Sequence, residues 1–455
     1  MRAAYIALSL FIVSLFVFLP APEGLSREGF VMFGILLMAI ILWITEAIPL
    51  AATGLLIMTL QPLLGVADAR DVFASFGNSA VFFILASFML AAAAEKYGLH
   101  KRIAVKLLGA FGASPAAFIF GVMVVGAFLS FFMQEHAVAA FLLPILMHIL
   151  LIMKAVPKQS NFGVATMIAL TFGTSIGSWG TLLGGARNPL TIGFLDEIGY
   201  SLSFFEWMKM SIPIVLVALP VVAFILLRLF PPEVEGIGRA VKELTEEVRR
   251  MGKPATEEKA VFVIYVLTIL AWIFLSDAIG VAVIALMAAL SLFFLRLVEW
   301  EDVEKRVQWG IILLYGGALT LGNAMETTNA AGWLATKIIP IFGENEVVLL
   351  AVLILTTFIL TNIMSNTAAV AVMLPISFGI ATQAGISPVL SSMAVAIAGG
   401  GAFMFVIATP GAAIAYSSGY ITQKQLAKAG FLASIICMFI ILLTAVFYWK
   451  LVLGL

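Results

Sequence analysis

Apolar stretches of helical length follow one another along almost the whole chain, among them Ala3–Leu19, Phe30–Ile44, Val261–Leu275 and Leu432–Trp449. A helix needs roughly 20 predominantly apolar residues to cross a bilayer, and the pattern has room for about eleven crossings once tilt and broken spans are allowed for. One long polar segment, Pro231–Glu258, interrupts the series, and Gly236–Met251 within it has the pattern of an amphipathic helix. The pattern predicts an all-α polytopic membrane protein. A first transmembrane helix occupies 1–28, one half of the protein 29–230, a cytoplasmic linker 231–258 and the other half 259–455. A plain solvated loop at 231–258 would mark the same boundary.

Composition agrees with a membrane protein: 63% of the 455 residues are hydrophobic and 11% charged, against ~25% charged in soluble proteins. The 25 basic and 25 acidic residues balance, so nothing calls for a nucleic-acid partner. The single cysteine, Cys437, lies in the last apolar span and rules out a disulfide framework or a cysteine metal cluster. The first apolar run has only Arg2 before it and ends at Pro20 and Pro22, which reads as a retained helix and not as a cleaved signal. Basic residues cluster in one set of loops: Lys96, Lys101, Arg102 and Lys106, then Lys154 and Lys158, the linker, Arg296, Lys305 and Arg306, and Lys424 and Lys428. Cytoplasmic loops carry that excess. The expected orientation has the N-terminus in the cytoplasm, the C-terminus outside and the body in the plasma or inner membrane, among lipids.

The halves are related. Gln134–Ile145 aligns with Ser365–Ile376 at an offset of 231 residues (365 − 134), with Ala137, Ala140, Leu143, Pro144 and Ile145 repeated as Ala368, Ala371, Leu374, Pro375 and Ile376. The same frame pairs Glu95 with Glu326, Glu46-Ala47-Ile48 with Asp277-Ala278-Ile279, and Asp71-Val72 with Asp302-Val303. An odd number of crossings between the copies inverts the second one, the arrangement of many secondary transporters. Each aligned segment follows an apolar stretch, with a polar tip between: Gln134-Glu135-His136 and Ser365-Asn366-Thr367. Polar groups at mid-membrane are costly unless they line an enclosed cavity. The economical reading is two re-entrant hairpins, at about 115–155 and 346–385, whose returning helices start at the tips and turn free N–H groups toward an anion. The competing reading is two ordinary crossings joined by a turn in water.

Two apolar spans are also interrupted by small and polar residues, at about 163–197 (Gly173–Pro189) and 390–420 (Ala398–Gly419). Glycine and proline weaken helices, and unwound carbonyls are hard oxygen ligands suited to Na⁺. Close packing through small residues is the bland alternative.

At these residues the chain resembles the divalent anion/sodium symporter family. Trp43-Ile44-Thr45-Glu46-Ala47-Ile48-Pro49-Leu50, Pro62-Leu63-Leu64-Gly65 and the Ser365-Asn366-Thr367 tip with Leu374-Pro375 carry the resemblance. It implies two inverted repeats, a homodimer, and an elevator-type carrier of dicarboxylates, citrate or sulfate with two Ser-Asn-Thr tips and two Thr-Pro-Pro-Asn-like breaks around the substrate. It places substrate-binding positions at Gln134, Glu135, His136, Arg187, Asn188, Ser365, Asn366, Thr367, Thr409 and Pro410. A second Na⁺ position falls at Thr361, Ser365, Asn366 and Ala412. The chain departs from the pattern at the first tip, at Gly185-Ala186-Arg187-Asn188, and at Thr409-Pro410-Gly411-Ala412, which keeps only Thr-Pro.

Glu135, His136 and Arg187 thus gather around the first ion position. Three outcomes stand open: Arg187 replaces a bound Na⁺ by pairing with Glu135; Glu135 or His136 carries a proton in each cycle; or the three form a static network. A metal site from Glu135, His136 and His148 is a weak fourth. Trp179 either walls the pocket or packs, and Glu46, Asp277, Glu95 and Glu326 read as capping or pairing groups at helix ends. No cofactor is implied beyond Na⁺ or H⁺ as coupling ion, and no nucleophile–base pair or zinc spacing suggests an enzyme. The expected function is secondary active transport of small anions, di- or tricarboxylates first, with sulfate or phosphate next and a cation/proton antiporter on the same scaffold as the alternative class.

Overall fold

The computed structural model describes residues 1–455, the side chains of residues 247 and 248 excepted. It is all-helical, as the periodicity predicts, with no strand among the described residues. The first helix is α1 (Arg2–Phe18). The first half continues with α2 (Arg27–Thr45), α3 (Leu50–Leu63), α4 (Ala69–Ala74), α5 (Ser79–Lys96) and α6 (Leu99–Ala110). A hairpin follows, α7 (Pro115–Ser130) and α8 (Glu135–Ile152), then α9 (Asn161–Gly177), α10 (Arg187–Glu197) and α11 (Phe204–Leu229). The linker holds α12 (Gly238–Arg250). The second half has α13 (Thr256–Ile279), α14 (Val281–Phe294), α15 (Trp300–Glu304), α16 (Trp309–Thr327) and α17 (Ala330–Phe342). Its hairpin is α18 (Glu346–Ile363) and α19 (Asn366–Ala384), followed by α20 (Pro388–Ala398), α21 (Pro410–Ser417) and α22 (Gln423–Leu443).

Helix starts repeat at the sequence offset. α3 and α14, α7 and α18, and α8 and α19 each begin 231 residues apart, and α5 and α16 differ from that by one. The frame slips after α19: α20 begins 227 residues after α9 (388 − 161), and it is 11 residues long where α9 has 17. Among the described residues, eight helices are long and apolar enough to cross a bilayer. Shorter apolar helices of 10–17 residues complete the set; the hairpin tips and the breaks cut what would otherwise be continuous spans.

Local chemistry explains the boundaries. Ser26 accepts from the N–H of Gly29 at the start of α2, and Ser203 with Glu206 and Thr422 with Gln425 form capping boxes at α11 and α22. α19 ends at Gly385, whose φ of 66° lies in the left-handed region that closes helices. At the start of the linker, Glu233 accepts from the N–H of Phe162 at 2.9 Å and from the Ser160 hydroxyl. Burial raises the Glu233 carboxyl, but these hydrogen bonds outweigh it and hold the group below its ordinary value. α12 lies against α6, with Val241 filling the space that Gly112 leaves. Of the helix-end acids, Glu95 pairs with Arg306 at 3.5 Å.

Two close crossings are built on small residues. α3 meets α16 where Gly54 and Gly317 bring the backbones into contact, and α7 meets α9 where Gly173 and Gly177 face Met123 and Ala127. Such approaches supply packing between helices that lipid gives no hydrophobic reason to associate. Gly317→Val should therefore cost at least the 1–3 kcal/mol typical of overpacking, read as a lower unfolding temperature in detergent. Gly310→Ala, whose new methyl meets nothing closer than 3.9 Å, should leave that temperature unchanged.

Candidate substrate cavity

Six helices begin at one cavity of about 570 Å³. The hairpin helices α8 and α19 reach it through Glu135 and Asn366, and the helices after the breaks, α10 and α21, through Arg187 and Pro410. The starts of α3 and α16, at Pro49–Ala51 and Gln308–Leu314, form the facing wall. Each helix start presents backbone N–H groups without intrahelical partners and the positive end of a dipole. Their convergence makes the cavity suited to an anion.

The second tip is a closed hydrogen-bonded unit. Ser365 Oγ accepts from the N–H of Ala368 at 3.3 Å and caps α19. The Thr361 hydroxyl lies 2.7 Å from Asn366 Oδ1 and 2.6 Å from the Gly399 carbonyl in the second break. These are three hard oxygens at one buried point, the donor chemistry a Na⁺ would use. Thr409 Oγ1 accepts from the N–H of Ala412 at 3.1 Å, so Thr409 and Ala412 cap α21, and neither lines the cavity.

The first tip has the same backbone and different chemistry. Glu135 donates its N–H to the Gly184 carbonyl at 3.0 Å. Arg187 is buried behind the tip, its side chain 1% exposed, with Nη1 3.7 Å from Glu135 Oε2. Its Nη2 donates to Ser178 Oγ at 2.7 Å and its Nε to the Ala396 carbonyl at 3.1 Å. Gly185 and Gly400 lack side chains where the guanidinium sits; a Cβ at either would run into it. Asn188 donates to the Ser178 and Thr181 carbonyls at 2.7 Å each, holding the break in shape away from the cavity. Ser130, the counterpart of Thr361 in the 231-residue frame, is buried with its hydroxyl unpartnered.

The two tips join each other. Asn366 Nδ2 donates to Glu135 Oε1 at 3.0 Å, and the two residues are 231 apart. A residue touches its own repeat mate only where the axis relating the copies passes, so this bond marks the pseudo-two-fold. It also commits two groups that the sequence assigns to substrate: the Asn366 amide and the Arg187 guanidinium both turn toward Glu135. Gln134, His136, Ser365, Thr367 and Pro410 remain along the cavity wall. His136 Nε2 lies 2.6 Å from Nε2 of Gln308, the residue just before α16.

Sequence reasoning passes over Gln308, Tyr315, Ser178 and Ser130. The Tyr315 hydroxyl donates to the Ala186 carbonyl, tying α16 to the first break. Trp179 is fully buried against Phe403 and does not line the cavity. His148 stands at the far end of α8 beside Glu243 of α12, 3.7 Å away. No cluster of three or more His, Cys, Asp or Glu suited to a metal occurs among the described residues, so the Glu135–His136–His148 site does not form.

Comparison with known proteins points one way. The family model described as the sodium:sulfate symporter transmembrane region matches residues 1–455. The sodium-dependent dicarboxylate transporter SdcS of Staphylococcus saprophyticus is 30% identical over 474 residues, covering 98% of this chain and 90% of that protein. Its counterpart in Staphylococcus aureus is 31% identical over 475 residues with the same coverage. The crystal structure of the Alcanivorax borkumensis YdaH transporter shares the fold, with a TM-score of 0.56 at 15% identity over 85% of this chain and 90% of that one.

Removing one partner of a buried ion pair costs about 3–5 kcal/mol, because the other charge is left uncompensated. Arg187→Met and Glu135→Gln should each lower the unfolding temperature sharply, and the double variant should lose clearly less than the sum of the two. Strict additivity of the three measurements would mean that the groups do not interact.

Proposed function

This chain belongs to the sodium:sulfate symporter family, and from that premise we propose that it is a secondary active transporter of small dicarboxylates working by an elevator motion. The relatives' sodium-dependent dicarboxylate transport supports the substrate class. The observation that carries the reading is the single cavity onto which both tips and six helix starts open. Its size suits a small anion, and its N–H groups, with His136 and Thr367, supply donors in place of the water a carboxylate gives up on entering. In the moving unit we place the two hairpins with the broken helices α9–α10 and α20–α21. The scaffold holds α3 and α16, which meet that unit across the cavity.

Only one of the two pseudo-equivalent ion positions keeps the chemistry of a Na⁺ site in this reading. In the second half, Thr361, Asn366 and the Gly399 carbonyl offer oxygen alone. In the first half, the matching neighbourhood of Glu135 and Ser178 is filled by the Arg187 guanidinium. A tethered cation takes the place of a diffusible one, and it compensates Glu135 permanently. The support for ion-pair replacement is geometric: Arg187 Nη1 stands 3.7 Å from Glu135 Oε2 and occupies the space a bound cation would need. Orientation follows the charge pattern, with the N-terminus in the cytoplasm.

Purified protein in liposomes should take up labelled succinate with a hyperbolic dependence on Na⁺, the signature of one ion position, and with little response to a pH gradient alone. Sigmoidal Na⁺ dependence would point to two exchangeable ions, and uptake driven by pH alone would restore the proton mechanism. Asn366→Ala should abolish uptake while the protein still elutes as a folded species in detergent; unchanged uptake would remove the assigned site.

A further inference from the structure

Gln308 stands at the N-terminal end of α16 with its side chain turned away from that helix. It precedes α16, its side chain makes no capping hydrogen bond, and it reaches instead to His136, 172 residues away in the chain. The contact crosses from the wall helix α16 to the first hairpin tip. Tyr315, seven residues on and therefore on the same face of α16, makes a second tie, to the Ala186 carbonyl in the first break. The two ties differ in access. Tyr315 is fully buried, whereas His136 and Gln308 are both half-buried and both line the cavity. No side-chain hydrogen bond joins the second tip to α16 among the described residues.

A ring nitrogen of histidine has one hydrogen-bonding position, a lone pair or a proton according to tautomer. His136 Nε2 meets the Gln308 amide as a lone pair and meets a carboxylate in the cavity only when it carries the proton instead, so it cannot serve both at once. We propose that Gln308 is a substrate-displaced latch: in the empty carrier it holds His136 and pins the first hairpin to α16, and an anion that takes His136 releases the hairpin. The proposal rests on the elevator reading given above and adds to it the regulation of the empty carrier. A latched empty carrier returns slowly across the membrane, so exchange of anion for anion outruns net movement. Gln308 is a positioning residue in this scheme; it acts through His136 and need not contact the substrate.

The test is the ratio of two rates in the same liposomes, loaded with labelled succinate and Na⁺ and held at zero potential with K⁺ and valinomycin: efflux into succinate, and efflux into succinate-free medium. Wild-type protein should show exchange faster than net efflux. Gln308→Ala should raise net efflux relative to exchange by about two- to tenfold, the range that one neutral hydrogen bond accounts for. An unchanged ratio in Gln308→Ala would overturn the latch. Should Gln308→Ala not fold, Gln308→Ser removes the same contact and is held to the same outcome. Failure of the carrier reading itself looks different: wild-type protein would move no succinate in either mode and would gain no thermal stability from it.

Discussion

The hydrogen bond from Asn366 to Glu135, with Arg187 behind it, is the contact around which the two halves are organised. It lies where the copies meet, and it forces the tips together at a depth where each alone would carry uncompensated polar groups. The rest follows from holding that point. Six helices can start there only because their free N–H groups face a shared cavity and not lipid. Both breaks must stay unwound beside it, one to supply the Gly399 carbonyl and the other to let Arg187 fold back through the space left by Gly185 and Gly400.

The pseudo-symmetry keeps its frame at the hairpins and is broken in chemistry. Where one half has asparagine, threonine and a glycine carbonyl, the other has glutamate, an unpartnered serine and a guanidinium. A buried ion pair of this sort is weak evidence for stability, since apolar residues of like volume often serve as well. Its retention at the axis fits a role in charge compensation better than one in holding the fold together. The glycines of the breaks divide the same way: Gly173 and Gly177 are packing residues against α7, whereas Gly185 and Gly400 make room for one side chain. The packing and functional readings of small residues thus both hold, at different positions.

Much of the architecture was legible because it is written in repeated local signals. The prolines at 144 and 375, the polar tips before them and the matched acids are readable without any knowledge of tertiary contacts, and the starts of the hairpin helices keep the same frame. Family membership, too, could be read from the Ser365-Asn366-Thr367 tip and the Trp43–Leu50 segment. What a sequence does not display is the direction in which a side chain turns. Asn366 reads as a ligand for substrate because it stands at the right position, and the structure turns its amide to Glu135; the Arg187–Glu135 approach was one of three arrangements the sequence left open. Ser130 and Ser178 could have been found by carrying Thr361 and the second break back through the repeat, though a serine in an apolar helix attracts little notice. Gln308 and Tyr315 had no such signal. They belong to the other half, and only the fold brings them to the first tip and the first break.

A guanidinium fixed to the chain changes the electrical character of the proposed cycle. It crosses no net distance over a full turn, because it travels out and back with the protein, so it adds nothing to the current. A dicarboxylate with a single Na⁺ leaves one uncompensated negative charge on the loaded carrier, and each 100 mV of membrane potential acts on such a charge with about 2.3 kcal/mol. An interior-negative voltage then pushes the loaded form outward. Swapping one such anion for another moves no net charge over the cycle, so the voltage of the cell gives that mode no direction.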